Sequence, residues 1–298
     1  MLWVPVTIGA AVSQLARNAL QSGLVRNVGT LGATMVRFLY ALPFALIAYA
    51  AAIFALGQPV PHTGASTIGW AFVGAVAQIA ATALMLKAMD MRGFAIAYAY
   101  IKTEPVLLAL GGWWLLGDAL PPLAWLGIVL ATAGVTWAAL PQGRGLAALR
   151  GEVGPVLLGI AGGALFGLSS LAFRSSILTL EGASAWMAAL HAMLFTLAIQ
   201  TALMLAWLGL TDRGAIRATL VEWRPSLAAG FTGALATLFW FTGFALTAAA
   251  NVRTLGLIEM PLAAFLNRQV SGKALGPREW AGIALVGAGI VLLVRSAA

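Results

Sequence analysis

The chain contains no cysteine, which excludes disulfide frameworks and thiol-based metal, redox or nucleophile chemistry. Charge is scarce as well. Only 9% of the 298 residues are Asp, Glu, Lys or Arg, against about 25% in soluble domains. A soluble fold of this length buries only about 75% of the surface its unfolded chain exposes, so a composition that is 61% hydrophobic would leave much apolar surface in water. A bilayer removes that difficulty. No Gly-x4-Gly-Lys-Ser/Thr run is present, so ATP is not the expected energy source. Gly143-x-Gly145 follows no strand and is no dinucleotide fingerprint. No cofactor and no metal are expected. The net charge of +8 comes from basic residues scattered between apolar runs, with no cluster of five. They read as loop anchors rather than as nucleic-acid contacts. Lysine is limited to Lys87, Lys102 and Lys273, against fourteen arginines, a bias that suggests a GC-rich bacterial source.

What is abundant is apolar sequence in lengths that cross a membrane, about 20 residues each. Breaking the chain at charges, prolines and glycine clusters predicts ten spans: 2–21, 30–54, 66–88, 94–116, 122–140, 154–178, 184–209, 226–249, 252–271 and 278–295. The runs are too long, and alternate too little, for barrel strands. Residues 142–153 are the most linker-like stretch, between a first half at 1–141 and a second at 154–298.

The halves repeat. At a shift of 155 residues Glu104 falls on Glu259, Gly117-x-Ala119-Leu120 on Gly272-x-Ala274-Leu275, Trp125-x-Gly127-Ile128 on Trp280-x-Gly282-Ile283, and Gly134 on Gly289. Five spans per half is an odd number, so the halves lie in opposite orientations, as in inverted-repeat transporters. With Glu104-Pro105 in the fourth span, Gly117-Asp118, Trp125-x-Gly127 and Gly134, the chain resembles the EamA-type drug/metabolite transporter superfamily. Its overall look is similar to the bacterial aromatic amino acid exporters. The resemblance implies an all-α membrane fold of ten helices in two inverted five-helix repeats. It also implies a multi-pass protein of the bacterial inner membrane that exports small metabolites. Two positions depart from the superfamily pattern: Asp118 and Lys273 follow the loop glycines where Glu is usual, and Met260 separates Glu259 from Pro261.

A charge at mid-bilayer costs at least about 2.5–3.5 kcal/mol and needs a partner or water. Lys102 and Glu104 in the fourth span and Glu259 in the ninth are such charges. Two residues apart, Lys102 and Glu104 point about 200° away from each other on a helix, so each must pair elsewhere. Lys102 suits either a substrate carboxylate or a cross-helix ion pair. Glu104 and Glu259 read first as repeat architecture, then as site residues. Tyr98 and Tyr100 stand at i,i+4 from Lys102 and Glu104 and make two sides of that helix polar. Gln78 and Thr82 share a face of the third span, for a zwitterion or for interhelical hydrogen bonds. Phe239, Trp240, Phe241 and Phe244 crowd the eighth span as pocket or packing residues, and a lone His191 reads as hydrogen-bonded packing. Pro43, Pro105 and Pro261 are hinges or packing kinks. Gly159-x3-Gly163-x3-Gly167 offers a smooth ridge for close helix approach.

Loops after the odd-numbered spans carry ten basic residues, and those of the other side three, Arg174, Arg253 and Arg295. The positive-inside rule then places the termini outside. The expected partners are small molecules, amino acids above all, and membrane lipids, with monomer or homodimer left open. A broad-specificity drug exporter is the alternative within transport. A lipid-modifying enzyme lacks any His-rich or carboxylate-dense cluster to support it.

Overall fold

In a bilayer every backbone N–H and C=O must find its partner within the protein, which turns apolar runs of this length into helices. The computed structural model describes residues 1–92, 100–139, 153–271 and 275–297. Its helices are α1 (Trp3–Leu39), α2 (Ala41–Phe54), α3 (Ala65–Arg92), α4 (Glu104–Leu116), α5 (Pro122–Ala139) and α6 (Val153–Leu178). There follow α7 (Ala185–Thr211), α8 (Arg213–Val221), α9 (Trp223–Leu246), α10 (Ala249–Leu255), a 3-10 turn (Gly256–Ile258), α11 (Glu259–Ser271) and α12 (Pro277–Ser296). No strand occurs among the described residues. Among the described residues eight segments are long and apolar enough to cross a membrane, and Glu104–Leu116 is a shorter apolar helix. The fold is that of an all-α, multi-pass membrane protein whose ten spans form two inverted five-helix repeats. The linker expected at 142–153 lies, up to residue 152, outside the described residues, as do Tyr98 and Gly272.

The first two expected spans are divided at Gly29, where φ is 71° and ψ 172°. A β-carbon makes that conformation costly, so the break falls on a glycine. A second break, at Tyr40, comes three residues before Pro43, which has no N–H to offer the Leu39 carbonyl. The expected break after the fourth span is a left-handed cap at Gly117, φ 66°.

Met1–Val4, Val76–Leu171 and Thr247–Ala298 form one compact unit, and Pro5–Ala75 with Ala172–Leu246 form another, so each draws on both sequence halves. In the first unit α5 and α12 share a seam of glycines. A β-carbon on Gly127 would stand 2.6 Å from the Gly289 carbonyl oxygen, and one on Gly134 would stand 2.8 Å from that of Gly282. Numbers rise along one helix as they fall along the other, so the two run antiparallel, as spans related by an inverted repeat must. Ala131, Val135, Leu257 and Val286 pack beside this seam and fix the 3-10 turn before α11. The expected ridge on α6 lies against the residues leading into α4. A β-carbon on Gly159 would meet the Tyr100 Cβ at 2.5 Å, and one on Gly163 the Ile101 carbonyl oxygen at 2.8 Å.

The second unit has two apolar clusters. Leu24, Val28, Ala33, Val36, Tyr40 and Ala229 join both sides of the Gly29 break to α9. Ala52, Met187 and Leu190 join α2 to α7. The stretch expected as a loop after the seventh span is instead the nine-residue helix α8, capped by the Asp212 side chain, which accepts from the Ala215 N–H at 3.0 Å.

Candidate functional site

Two spans of the first unit are broken in the same way. Pro105 is the second residue of α4 and Pro261 the third of α11. Neither has an N–H for the carbonyl four residues back, Ile101 or Leu257, so the chain turns there before the helix resumes. Each resumed helix begins with a carboxylate, Glu104 or Glu259. The first helical turn carries partial positive charge from its unpaired N–H groups and favours such an anion.

The carboxylates take their cations crosswise. Lys102 Nζ, from the first half, donates to Glu259 Oε1 of the second half at 2.5 Å. Arg253, from the second half, grips Glu104 of the first with a fork, Nε to Oε1 at 2.6 Å and Nη2 to Oε2 at 2.8 Å. The side chains are 10% and 9% exposed in the lysine pair, and 18% for Arg253 and 3% for Glu104 in the arginine pair. The carboxylates obey the 155-residue repeat and the cations do not: the shift carries Lys102 to Leu257 and Arg253 to Tyr98. Bidentate geometry makes the arginine pair the more rigid of the two. In both pairs, removing one partner would strand a charge out of water.

Arg253 is the residue that sequence reasoning missed. It was counted with the loops, but it stands in α10, within the apolar stretch Ala249–Leu266. The available signal was its position six residues before Glu259, inside an expected span.

Elsewhere in the first unit, the Thr82 hydroxyl donates to the Gln78 carbonyl at 2.8 Å, and Gln78 is half-buried. The structure therefore keeps Gln78 and Thr82 on one face of α3. In the second unit Trp240 is buried, and its Nε1–H donates to Gln14 Oε1 at 3.1 Å. The half-buried Phe239 ring lies against Gly9 of α1. Phe241 packs on Phe173, ring centroids 4.9 Å apart. A buried arginine, Arg17, lies on the same helix as Gln14 and bonds the Asn18 side-chain oxygen at 2.9 Å through Nη2. His191 is bonded through both nitrogens, Nδ1 to the Tyr49 hydroxyl at 2.6 Å and Nε2 to the Thr63 hydroxyl at 2.7 Å. Such a ring is a packing element. Among the described residues no three His, Asp or Glu side chains gather in a way that could hold a metal ion.

Known proteins agree with this architecture. Residues 1–140 match the model of the EamA-like transporter family. One solved structure, described only as "Crystal structure of protein", superposes with a TM-score of 0.70 at 18% identity, covering 97% of this chain and 95% of that one. That likeness is one of fold. No curated protein matches the chain significantly. The family match over residues 1–140, a second half that repeats motifs of the first and a fold shared along nearly the whole length lead to one conclusion: the first half of the chain is an EamA-like transporter repeat, and the protein is a membrane transporter of small molecules.

Proposed function

We propose that this transporter exports amino acids, aromatic ones included, across the bacterial inner membrane by alternating access. The observation that carries the reading is the buried Lys102–Glu259 pair beside two broken helices. A zwitterion inserted into that pair brings a carboxylate for the ammonium and an ammonium for the carboxylate. Net charge at membrane depth is unchanged and every charge keeps a partner, whereas a singly charged solute would leave one side chain stranded. Glu104, held by Arg253, is the second carboxylate of this cluster, and Gln78 and Thr82 add neutral hydrogen-bonding groups. Tyr98 keeps its place in the proposal from its spacing to Lys102 alone. Pro43, Pro105 and Pro261 mark helix breaks that can act as hinges.

Flux of radiolabelled amino acids in proteoliposomes, with and without a proton gradient, tests the reading. Uptake of phenylalanine or tryptophan that unlabelled amino acids inhibit is expected. Flux of lipophilic cations with none of amino acids would favour a broad drug exporter instead. Trp240 and Phe239 are candidates for the aromatic side chain of the substrate, to be tested separately. Trp240→Ala is expected to reduce phenylalanine and tryptophan flux by about tenfold, the scale of a lost aromatic contact, and alanine flux much less. Trp240→Phe, which keeps the ring and drops the Gln14 hydrogen bond, should retain most of the activity. Equal loss for all substrates would return Trp240 to packing.

A further inference from the structure

The second unit carries a concavity of about 310 Å³ lined by Asn27, Gly214, Arg217, Ala218, Val221 and Glu222. Its walls are firmly held. Ala215 and Thr219 of α8 are buried, and the Tyr40 hydroxyl donates to the Thr219 carbonyl at 2.9 Å. The Asn27 amide donates to Glu222 Oε1 at 2.8 Å, tying the end of the first span to the end of α8.

This concavity belongs at the membrane surface. α8 joins two spanning helices, one ending at Thr211 and the next beginning at Trp223. Asn27 precedes by two residues the Gly29 break between the first and second spans. In a ten-span chain the first and seventh spans end on the same side. Around the concavity Leu220, Val221 and Trp223 are 57%, 71% and 49% exposed, beside the exposed Arg213, Arg217 and Arg224. The Arg224 guanidinium lies 5.3 Å from the Trp223 ring centroid. Exposed apolar groups interleaved with arginine and tryptophan make a surface that sits among lipid headgroups.

The lining carries both signs of charge. Arg217 makes no ion pair among the described residues, and Glu222 has one oxygen engaged by Asn27. A simple anion would be drawn to Arg217 and repelled by Glu222. A group with a phosphate and a protonated amine a few bonds apart satisfies both.

We propose that this concavity binds the headgroup of a phospholipid with a primary amine. Its phosphate lies on Arg217, its ammonium on Glu222, and its chains run down past Val221. A choline headgroup brings a cation with no hydrogen to donate, and a glycerol headgroup brings no cation, so neither gives both side chains a charge-assisted hydrogen bond. The site is independent of the substrate assigned to the first unit.

The test takes the purified, delipidated full-length protein. It offers equal amounts of dioleoyl phosphatidylethanolamine, phosphatidylcholine and phosphatidylglycerol and counts retained lipid by native mass spectrometry. Phosphatidylethanolamine should be retained roughly tenfold over the others, the scale of one charged hydrogen bond. Arg217→Ala and Glu222→Gln should each lower its retention by a similar factor. Glu222→Gln still accepts from Asn27, so an unchanged melting temperature shows that the fold is intact. Phosphatidylglycerol bound as well as phosphatidylethanolamine and indifferent to Glu222→Gln would overturn the proposal, as would equal retention of all three lipids by every variant. Displacement by soluble phosphoethanolamine at the concentrations at which the lipid binds would assign the site to a free solute and overturn the lipid.

Discussion

Replacing Arg253 with methionine is expected to destabilise the protein by about 3–5 kcal/mol, the cost of breaking a buried ion pair from one side. The Glu104 side chain, 3% exposed, would lose both bonds of the fork and be left without its cation. Yield and melting temperature in detergent should fall together. The double change Glu104→Gln with Arg253→Met should recover most of the loss, because no charge is then stranded. The same cycle on Lys102 and Glu259 has a second readout. Lys102→Ala alone should lower stability, and Lys102→Met with Glu259→Gln should restore it. If the pair receives a zwitterionic head group, the restored protein will still have lost at least tenfold in amino acid flux. A stable double variant with normal flux would make the pair purely structural.

The second large effect is expected at the glycine seam. Gly127→Leu should abolish accumulation of folded protein. Even the first carbon of the side chain would stand 2.6 Å from the Gly289 carbonyl and 2.9 Å from the Leu293 nitrogen, both backbone atoms that no rotamer can move. Gly134→Ala is milder, with contacts of 2.8 Å to Gly282 and Val286 backbone, and should cost about 1–3 kcal/mol as overpacking. Gly287→Ala, on the partner helix α12 with open space around it, is the control and should be neutral. Size-exclusion profiles of fluorescent fusions separate the three. A normal profile for Gly127→Leu would contradict the close crossing of α5 and α12.

The Gly159–Gly163–Gly167 ridge and the proline breaks were legible in the sequence because each depends on a backbone requirement that one residue type meets. The repeat was legible because Glu104/Glu259 and Trp125/Trp280 are too uncommon in apolar sequence to coincide by chance. The partners of the carboxylates were not legible. They lie on the opposite half, at positions where the repeat offers Leu257 and Tyr98, so self-comparison pointed away from them. Arg253 was hidden further by the rule that found the spans, which treats a charge as a boundary. α8 escaped because nine residues are too few to register as a span, and its polar face resembles a loop. The Gln14–Trp240 bond joins residues 226 apart, a pairing that no local pattern encodes.

Crossed pairing also sets a timetable for synthesis. Lys102 and its carboxylate are 157 residues apart, and Glu104 and its arginine 149. At about 5–20 residues per second, the fourth span waits roughly eight to thirty seconds for the charges that neutralise it. During that interval it carries both an ammonium and a carboxylate, two residues apart, with their partners not yet made. It has either to wait at the insertion machinery or to enter the bilayer with water drawn in around it. A nascent chain arrested before residue 253 should therefore remain extractable and open to proteases around the fourth span, and become resistant only when the ninth has been made.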